Sequence, residues 1–246
     1  MRIRHLSDDA PIPEVSAFCA HLYTARLDMP EERRASLRAC LSAGEAARAA
    51  RFHFERDRNR YVVGRGLLRE ILSRYTGIAP NALRLETTAE GKPYLADRSG
   101  PASLHFNVSH SEDRAVYAVL RDHAVGVDIE RIRTDFEVTE LAGSYFSVPE
   151  IRELASLPTA DRHAAFFGFW ARKEAYLKAL GTGLLCPLRE FAVSLTSPEV
   201  RRLTPSGEPI DVSEWWVHPL ALADGFASAI ALPVTVRQTI VLPERT

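Results

Sequence analysis

Residues Leu104–Arg133 read LHFNVSHSEDRAVYAVLRDHAVGVDIERIR. Leu104–Val108, Ala115–Leu120 and Val125–Ile132 are short runs rich in β-branched and apolar residues. The turn formers Ser111-Glu112-Asp113 and Asp122–Ala124 break them apart, so the stretch predicts three successive strands. Upstream, Phe18–Leu27 predicts a strand by its partial alternation, and Ser36–Phe52 a helix by its Ala, Leu and Arg content. Val63, Leu67, Leu68, Ile71, Leu72 and Tyr75 recur at helical spacing until Gly77 stops the run. Leu83–Thr87 predicts another strand before the turn Ala89-Glu90-Gly91. Downstream, helices return between Val138 and Leu180, where Ser147 and Glu150 have the spacing of a capping box. Phe191–Leu195, Trp215–His218, Ala227–Leu232 and Val234–Val241 predict the remaining strands. Strand, helices, strands, helices, strands is the order of an α+β chain in two similar halves, residues 1–123 and 124–246.

The totals narrow the function classes. In 246 residues, 31 basic side chains face 32 acidic ones, a net charge of -1 that argues against a general coat for nucleic acid or membrane. A hydrophobic share of 46% with 26% charged residues predicts a globular chain rather than a disordered one. The longest apolar stretches, such as Phe226–Leu232, fall short of the roughly 20 residues of a membrane span. The first residues, Met1–Pro13, lack a signal-peptide apolar region, so a cytoplasmic address is expected. Cys19, Cys40 and Cys186 stand far apart without CxxC or metal-ligand spacing and are expected as small buried apolar residues rather than disulfides or zinc ligands. Between Arg26 and Arg74 there are 12 Arg against 7 acidic residues, so one end of the first half is basic. Lysine occurs only at 92, 173 and 178, the other 28 basic residues being arginine.

Three constellations could carry chemistry. In Gly126-Val127-Asp128-Ile129-Glu130, the strand period of two puts Asp128 and Glu130 on one face about 7 Å apart, with Val127 and Ile129 turned to the core. Two adjacent carboxylates repel, and a hard divalent cation between them would remove the cost. A polar solvent face is the plain alternative. In Phe169–Lys178, the residues Phe166, Phe169, Trp170, Leu177 and Leu180 form an apolar stripe with Lys173 in its middle, while Glu174 and Lys178 lie along one edge. Snorkelling is the ordinary explanation of such a lysine. In Phe106–Ser111, Ser109 beside His110 invites a hydrolase reading, but neighbours in a strand face opposite ways and no GxSxG turn is present. Hydroxyl and imidazole donors at a strand end suit a phosphate oxygen better. Gly91-Lys92-Pro93 displays the lone lysine of the first half on a tight turn.

Taken in order, Arg51-Phe52 with Arg58–Tyr61, Gly91–Leu95, Phe106–Ser111, Gly126–Glu130 and Trp170–Lys178 resemble the 4′-phosphopantetheinyl transferases, in particular their larger, surfactin-synthetase-activating group. The match runs from about Ala43 to Leu185. The resemblance implies two similar halves related by a pseudo-twofold, with the active site in the cleft between them, on a monomer. It implies a Mg²⁺-dependent enzyme that moves the 4′-phosphopantetheine arm of coenzyme A to a serine of an apo acyl or peptidyl carrier protein, releasing adenosine 3′,5′-bisphosphate. By position, Asp128, Glu130 and Glu174 would hold the metal, and Lys178 would neutralise charge developing on the pyrophosphate. Glu174 or Glu130 would take the serine proton. Arg48, Lys92, Pro93, Asn107, Ser109 and His110 would bind the nucleotide and its 3′-phosphate. No counterpart of the leader Met1–Pro13 is placed.

Two other classes use the same residues. A metal-dependent nuclease could use Asp128 and Glu130, but the lysine two residues beyond such a pair is absent, position 132 being Ile. A non-catalytic coenzyme A or carrier-binding module would be expected to have lost a metal ligand, and all three carboxylates are present.

Overall fold

A computed structural model describes residues 1–5, 14–96, 103–182, 186–204 and 206–245. The leader segment 6–13 lies outside the described residues. The chain builds β1 (Arg2–His5), β2 (Cys19–Arg26), α1 (Glu31–Ala39), α2 (Ala43–Ala50), α3 (Glu55–Thr76), β3 (Leu85–Thr87), β4 (Pro93–Leu95), β5 (Leu104–Ser111) and β6 (Arg114–Arg121). It continues as β7 (Gly126–Arg131), α4 (Val138–Tyr145), α5 (Val148–Ser156), α6 (Arg162–Leu180), β8 (Phe191–Ala192), β9 (Glu199–Leu203), β10 (Pro209–Leu220), β11 (Phe226–Pro233) and β12 (Gln238–Val241).

Two five-stranded sheets result, in the orders β1-β12-β2-β6-β5 and β7-β11-β10-β9-β8. Each repeats one plan. A first strand (β2 or β7) leads into helices, and a later antiparallel hairpin (β5-β6 or β10-β11) returns so that its second strand pairs with the first. The long helix of each half, α3 or α6, ends on a left-handed glycine, Gly77 at φ 71° and Gly181 at φ 73°, a conformation that residues with a side chain rarely adopt. β3 and β4 form a separate small hairpin.

Three apolar cores hold these layers. The first lies between one sheet and α1 and α3, around Tyr23, Leu37, Leu67, Ile71 and Tyr117. The second lies between the other sheet and α4–α6, around Phe146, Phe166, Phe169 and Val217. The third joins the sheets to each other: Ala20, Leu22, Val116 and Ala118 meet Val127, Ile129, Ile230 and Leu232. The strand period of two makes this possible, because Val127 and Ile129 face that shared core while Asp128 and Glu130 take the other side of β7.

Some expectations need correction. Ser36–Phe52 is two helices, because Ser42 interrupts the run and caps α2 in a capping box with Glu45. Leu180 is 39% exposed at the end of α6 instead of lying in its apolar stripe. The strand expected at Val234–Val241 begins only at Gln238, after a turn in which Val236 N–H donates to Pro233 O. β1, and β9 with its exposed arginines, lie outside the expected strands. A division at 123/124 assigns Gln238–Val241 to the second half by chain order, whereas its hydrogen bonds lie in the first sheet, parallel to both β1 and β2.

Candidate active site

The two sheets meet edge to edge along β5 and β7. Side chains spaced two apart on β5 each engage β7. The Asn107 carboxamide oxygen accepts from Val127 N–H at 2.9 Å. Ser109 Oγ donates to Asp128 Oδ1 at 2.8 Å, and Ser111 Oγ donates to Glu130 Oε2 at 3.1 Å while accepting from Arg131 N–H. Ser111, which the sequence reading did not single out, is thus the third rung of this polar seam.

α6 brings the third wall. Gly126 sits so close beneath it that a Cβ there would stand 1.9 Å from Ala175 O and 2.5 Å from Ala179 N. Only glycine lets helix and strand approach to this distance. The approach carries Lys178 to Asp128, Nζ to Oδ1 at 2.6 Å, and the same ammonium donates to Ser109 Oγ at 3.0 Å. Asp128 is nearly fully buried, and its Oδ2 has no hydrogen-bond partner. An unpartnered carboxylate oxygen in a buried setting is costly unless something electropositive arrives.

The neighbouring carboxylates feel this crowding. Burial, then the Asp128 charge, push Glu130 up to about 7 against the pull of the Ser111 hydroxyl. Glu174 is raised as well, by burial first and Asp128 second. Among the described residues no three acidic, His or Cys side chains are already closed to metal-holding distance. The donor chemistry nevertheless fits a hard divalent cation: carboxylate oxygens only, one of them orphaned, in a set that repels itself.

Lys92 reaches the same place from the first half. It follows Gly91, whose φ of 90° makes the turn, and precedes Pro93, the first residue of β4. Its Nζ donates to the carbonyl oxygen of Lys178 at the end of α6, and burial lowers its pKa to about 8. His110 is at the exposed end of β5, where partial desolvation and then the Lys178 ammonium hold its imidazole below the ordinary value. Arg48 is on the exposed face of α2 with its guanidinium 5.5 Å from the Tyr61 ring centroid, and no described contact ties it to the carboxylates. Asp128, Glu130, Glu174, Lys178, Ser109, His110 and Lys92 therefore share one neighbourhood at the junction of the halves. Asn107 differs from expectation, since its carboxamide oxygen is engaged by the β7 backbone.

Comparison with known proteins agrees in both halves. Residues 124–231 match the 4′-phosphopantetheinyl transferase superfamily, and residues 29–121 match the N-terminal region of such transferases. A 4′-phosphopantetheinyl transferase, HetI, of Nostoc sp. is 37% identical over 212 residues, covering 86% of each chain. The chain belongs to the 4′-phosphopantetheinyl transferase superfamily. The 4′-phosphopantetheinyl transferase Sfp of Bacillus subtilis is 29% identical over 176 residues, 71% of this chain and 76% of that one. The Thermotoga maritima holo-[acyl-carrier-protein] synthase aligns with 44% of this chain and 61% of its own, at 25% identity and a TM-score of 0.33. This transferase moves the 4′-phosphopantetheine arm of coenzyme A onto carrier proteins. Among the described residues no helix is long and apolar enough to cross a membrane.

Proposed function

We propose that transfer takes place at the β5–β7–α6 junction, with Asp128, Glu130 and Glu174 as the ligands of a Mg²⁺ ion and the pyrophosphate of coenzyme A lying against Lys178. The observation that carries this reading is the Lys178–Asp128–Ser109 contact. It draws the two halves of the chain to one buried carboxylate that still has a free oxygen. A divalent cation bound there supplies charge neutralisation to the pyrophosphate.

The chain's own groups do the rest. Lys178 stands within reach of the same charge and stabilises it as the bond from phosphorus to the leaving nucleotide lengthens. The serine hydroxyl of the carrier attacks phosphorus and must lose its proton. Glu130, held near 7 before any cation arrives, or Glu174 on the adjacent helix, accepts it. Lys92, Ser109 and His110 offer donors to phosphate oxygens from the first half, and Arg48 adds a guanidinium for the 3′-phosphate. Pro93 stiffens the turn that presents Lys92, and Asn107 acts through the position it gives β7. The halves are related by a pseudo-twofold, the cleft between them takes coenzyme A, and one chain supplies both walls as a monomer. The address is cytoplasmic, where carriers of fatty acid, polyketide or peptide assembly lines are made.

Incubating the protein with coenzyme A, Mg²⁺ and apo carrier proteins and weighing the intact carriers tests the reading. A carrier that gains one phosphopantetheine mass at its serine, and gains none when Mg²⁺ is chelated, is the expected result.

A further inference from the structure

Lys173 stands next to Glu174 in the chain, yet it faces away from the reacting centre and is fully buried. Its ammonium lies 2.9 Å from Glu150 Oε1 and donates to the carbonyl oxygens of Leu188 at 2.6 Å and Phe191 at 2.7 Å. The ring of Phe191 is 4.1 Å from the nitrogen. All three N–H bonds of the ammonium thus have acceptors. Glu150 is equally buried. Its Oε2 accepts from the backbone N–H and the hydroxyl of Ser147, each at 2.8 Å, and its Oε1 from Val193 N–H at 2.9 Å. One ion pair therefore joins the start of α5, the middle of α6 and the segment 188–193.

Such a pair is a poor source of stability, because desolvating both charges offsets most of their attraction, and apolar side chains of similar volume would fill the space as well. What it adds is direction. The packing of Phe166, Phe169 and Leu177 against the second core is short-ranged and tolerates a small slide of α6 along its axis. Fixed hydrogen bonds from one ammonium to two carbonyls and a carboxylate do not. Across the helix, Gly126 presents no side chain to stop such a slide. The residues whose placement depends on it are Glu174 and Lys178.

We propose that the buried Glu150–Lys173 pair is a positioning device for the reaction: it sets the register of α6 on β7 so that Glu174 and Lys178 meet Asp128. This rests on the assignment of those residues to the reacting centre made above.

The test compares Lys173→Met, Lys173→Met/Glu150→Gln and Glu174→Gln. Methionine keeps the length of the side chain in apolar surroundings, and Glu150 retains its three donors from Ser147 and Val193. The double variant also removes the charge left behind. Unfolding midpoints report the fold, calorimetry reports coenzyme A binding, and steady-state rates are taken per folded molecule. The double variant should unfold near the native midpoint, and its coenzyme A affinity should fall less than its kcat, because Lys92 and His110 keep their places while Lys178 shifts. Its kcat should fall on the order of 10- to 100-fold, the cost of displacing reacting groups by about an ångström. Native kcat in the double variant, with Glu174→Gln inactive, overturns the positioning role and leaves the site assignment standing. Normal turnover by Glu174→Gln overturns both. Should the double variant fail to fold, Lys173→Met alone is read by the same split between kcat and binding.

Discussion

At the scale of single residues, the site is a contest over one carboxylate. Asp128 has one oxygen held by Lys178 and Ser109 and the other held by nothing, and both neighbouring glutamates are pushed toward their neutral forms. Glu174→Gln removes a charge from this set while leaving size and helix propensity almost unchanged. Transfer should fall by about 10²–10⁴-fold, the range for losing a base or a charge stabiliser. Coenzyme A binding, measured by calorimetry, should weaken far less, because Lys92 and His110 remain. The carboxylates were legible in the sequence because a strand's period of two and the Glu174–Lys178 spacing put them on defined faces. Ser111 and the partner of Lys173 were not. Their roles depend on which strand or helix lies across from them, and spacing along one element carries no information about its neighbour.

Elements meet here by virtue of what is missing from their surfaces. Gly126 lets α6 rest on β7 backbone to backbone, so that Lys178 can reach Asp128 at all. Gly126→Ala forces the two apart. A loss of about 1–3 kcal/mol in unfolding free energy, the usual cost of overpacking, should accompany a loss of transfer larger than the loss of stability explains. Denaturant titration and steady-state rates on the same preparation check this. The glycine could be read from the sequence as a strand start but not as a contact, since nothing in Gly126–Glu130 tells which helix returns to cover it. The break between α1 and α2 was in principle readable. Ser42 and Glu45 have capping-box spacing, but the Ala- and Arg-rich run on either side outweighed it in a reading by composition.

For the whole molecule, acid should be a stronger denaturant than the near-neutral net charge suggests. His21 is fully buried on β2, its Nδ1 bonded to the Tyr75 hydroxyl at 2.8 Å and its Nε2 without a partner, and burial lowers its pKa from 6.5 to about 4. Above 6.5 the imidazole is neutral in both folded and unfolded chains, and its contribution is fully present. As pH falls from 6.5 toward 4 the unfolded chain takes up a proton that the fold refuses, so stability declines, by at most about 3 kcal/mol. Urea midpoints at pH 7.5 and 5 should show this slope, and His21→Gln should reduce it, with His218, likewise lowered to about 4 by burial, carrying a further part. Ionic strength gives a second global test. The Arg-rich stretch 26–74 carries the positive end of the chain, and acidic carriers that dock by charge should show a kcat/KM that drops between low and high salt. Rates indifferent to salt would assign docking to apolar contact.

An α+β chain with two domains was readable from the order of elements. The exchange of the last strand was not, because Gln238–Val241 looks like any short edge strand until its partners are known. That exchange bears on how the protein is made. β12 fills the place between β1 and β2, so while the chain is still on the ribosome β2 keeps an open flank of unpaired N–H and C=O groups. The first sheet therefore cannot be completed in order of synthesis. The nascent amino-terminal half must wait, edge exposed, for a strand made after those of the second sheet, and that interval is when capture by a chaperone or pairing with another nascent copy competes with folding.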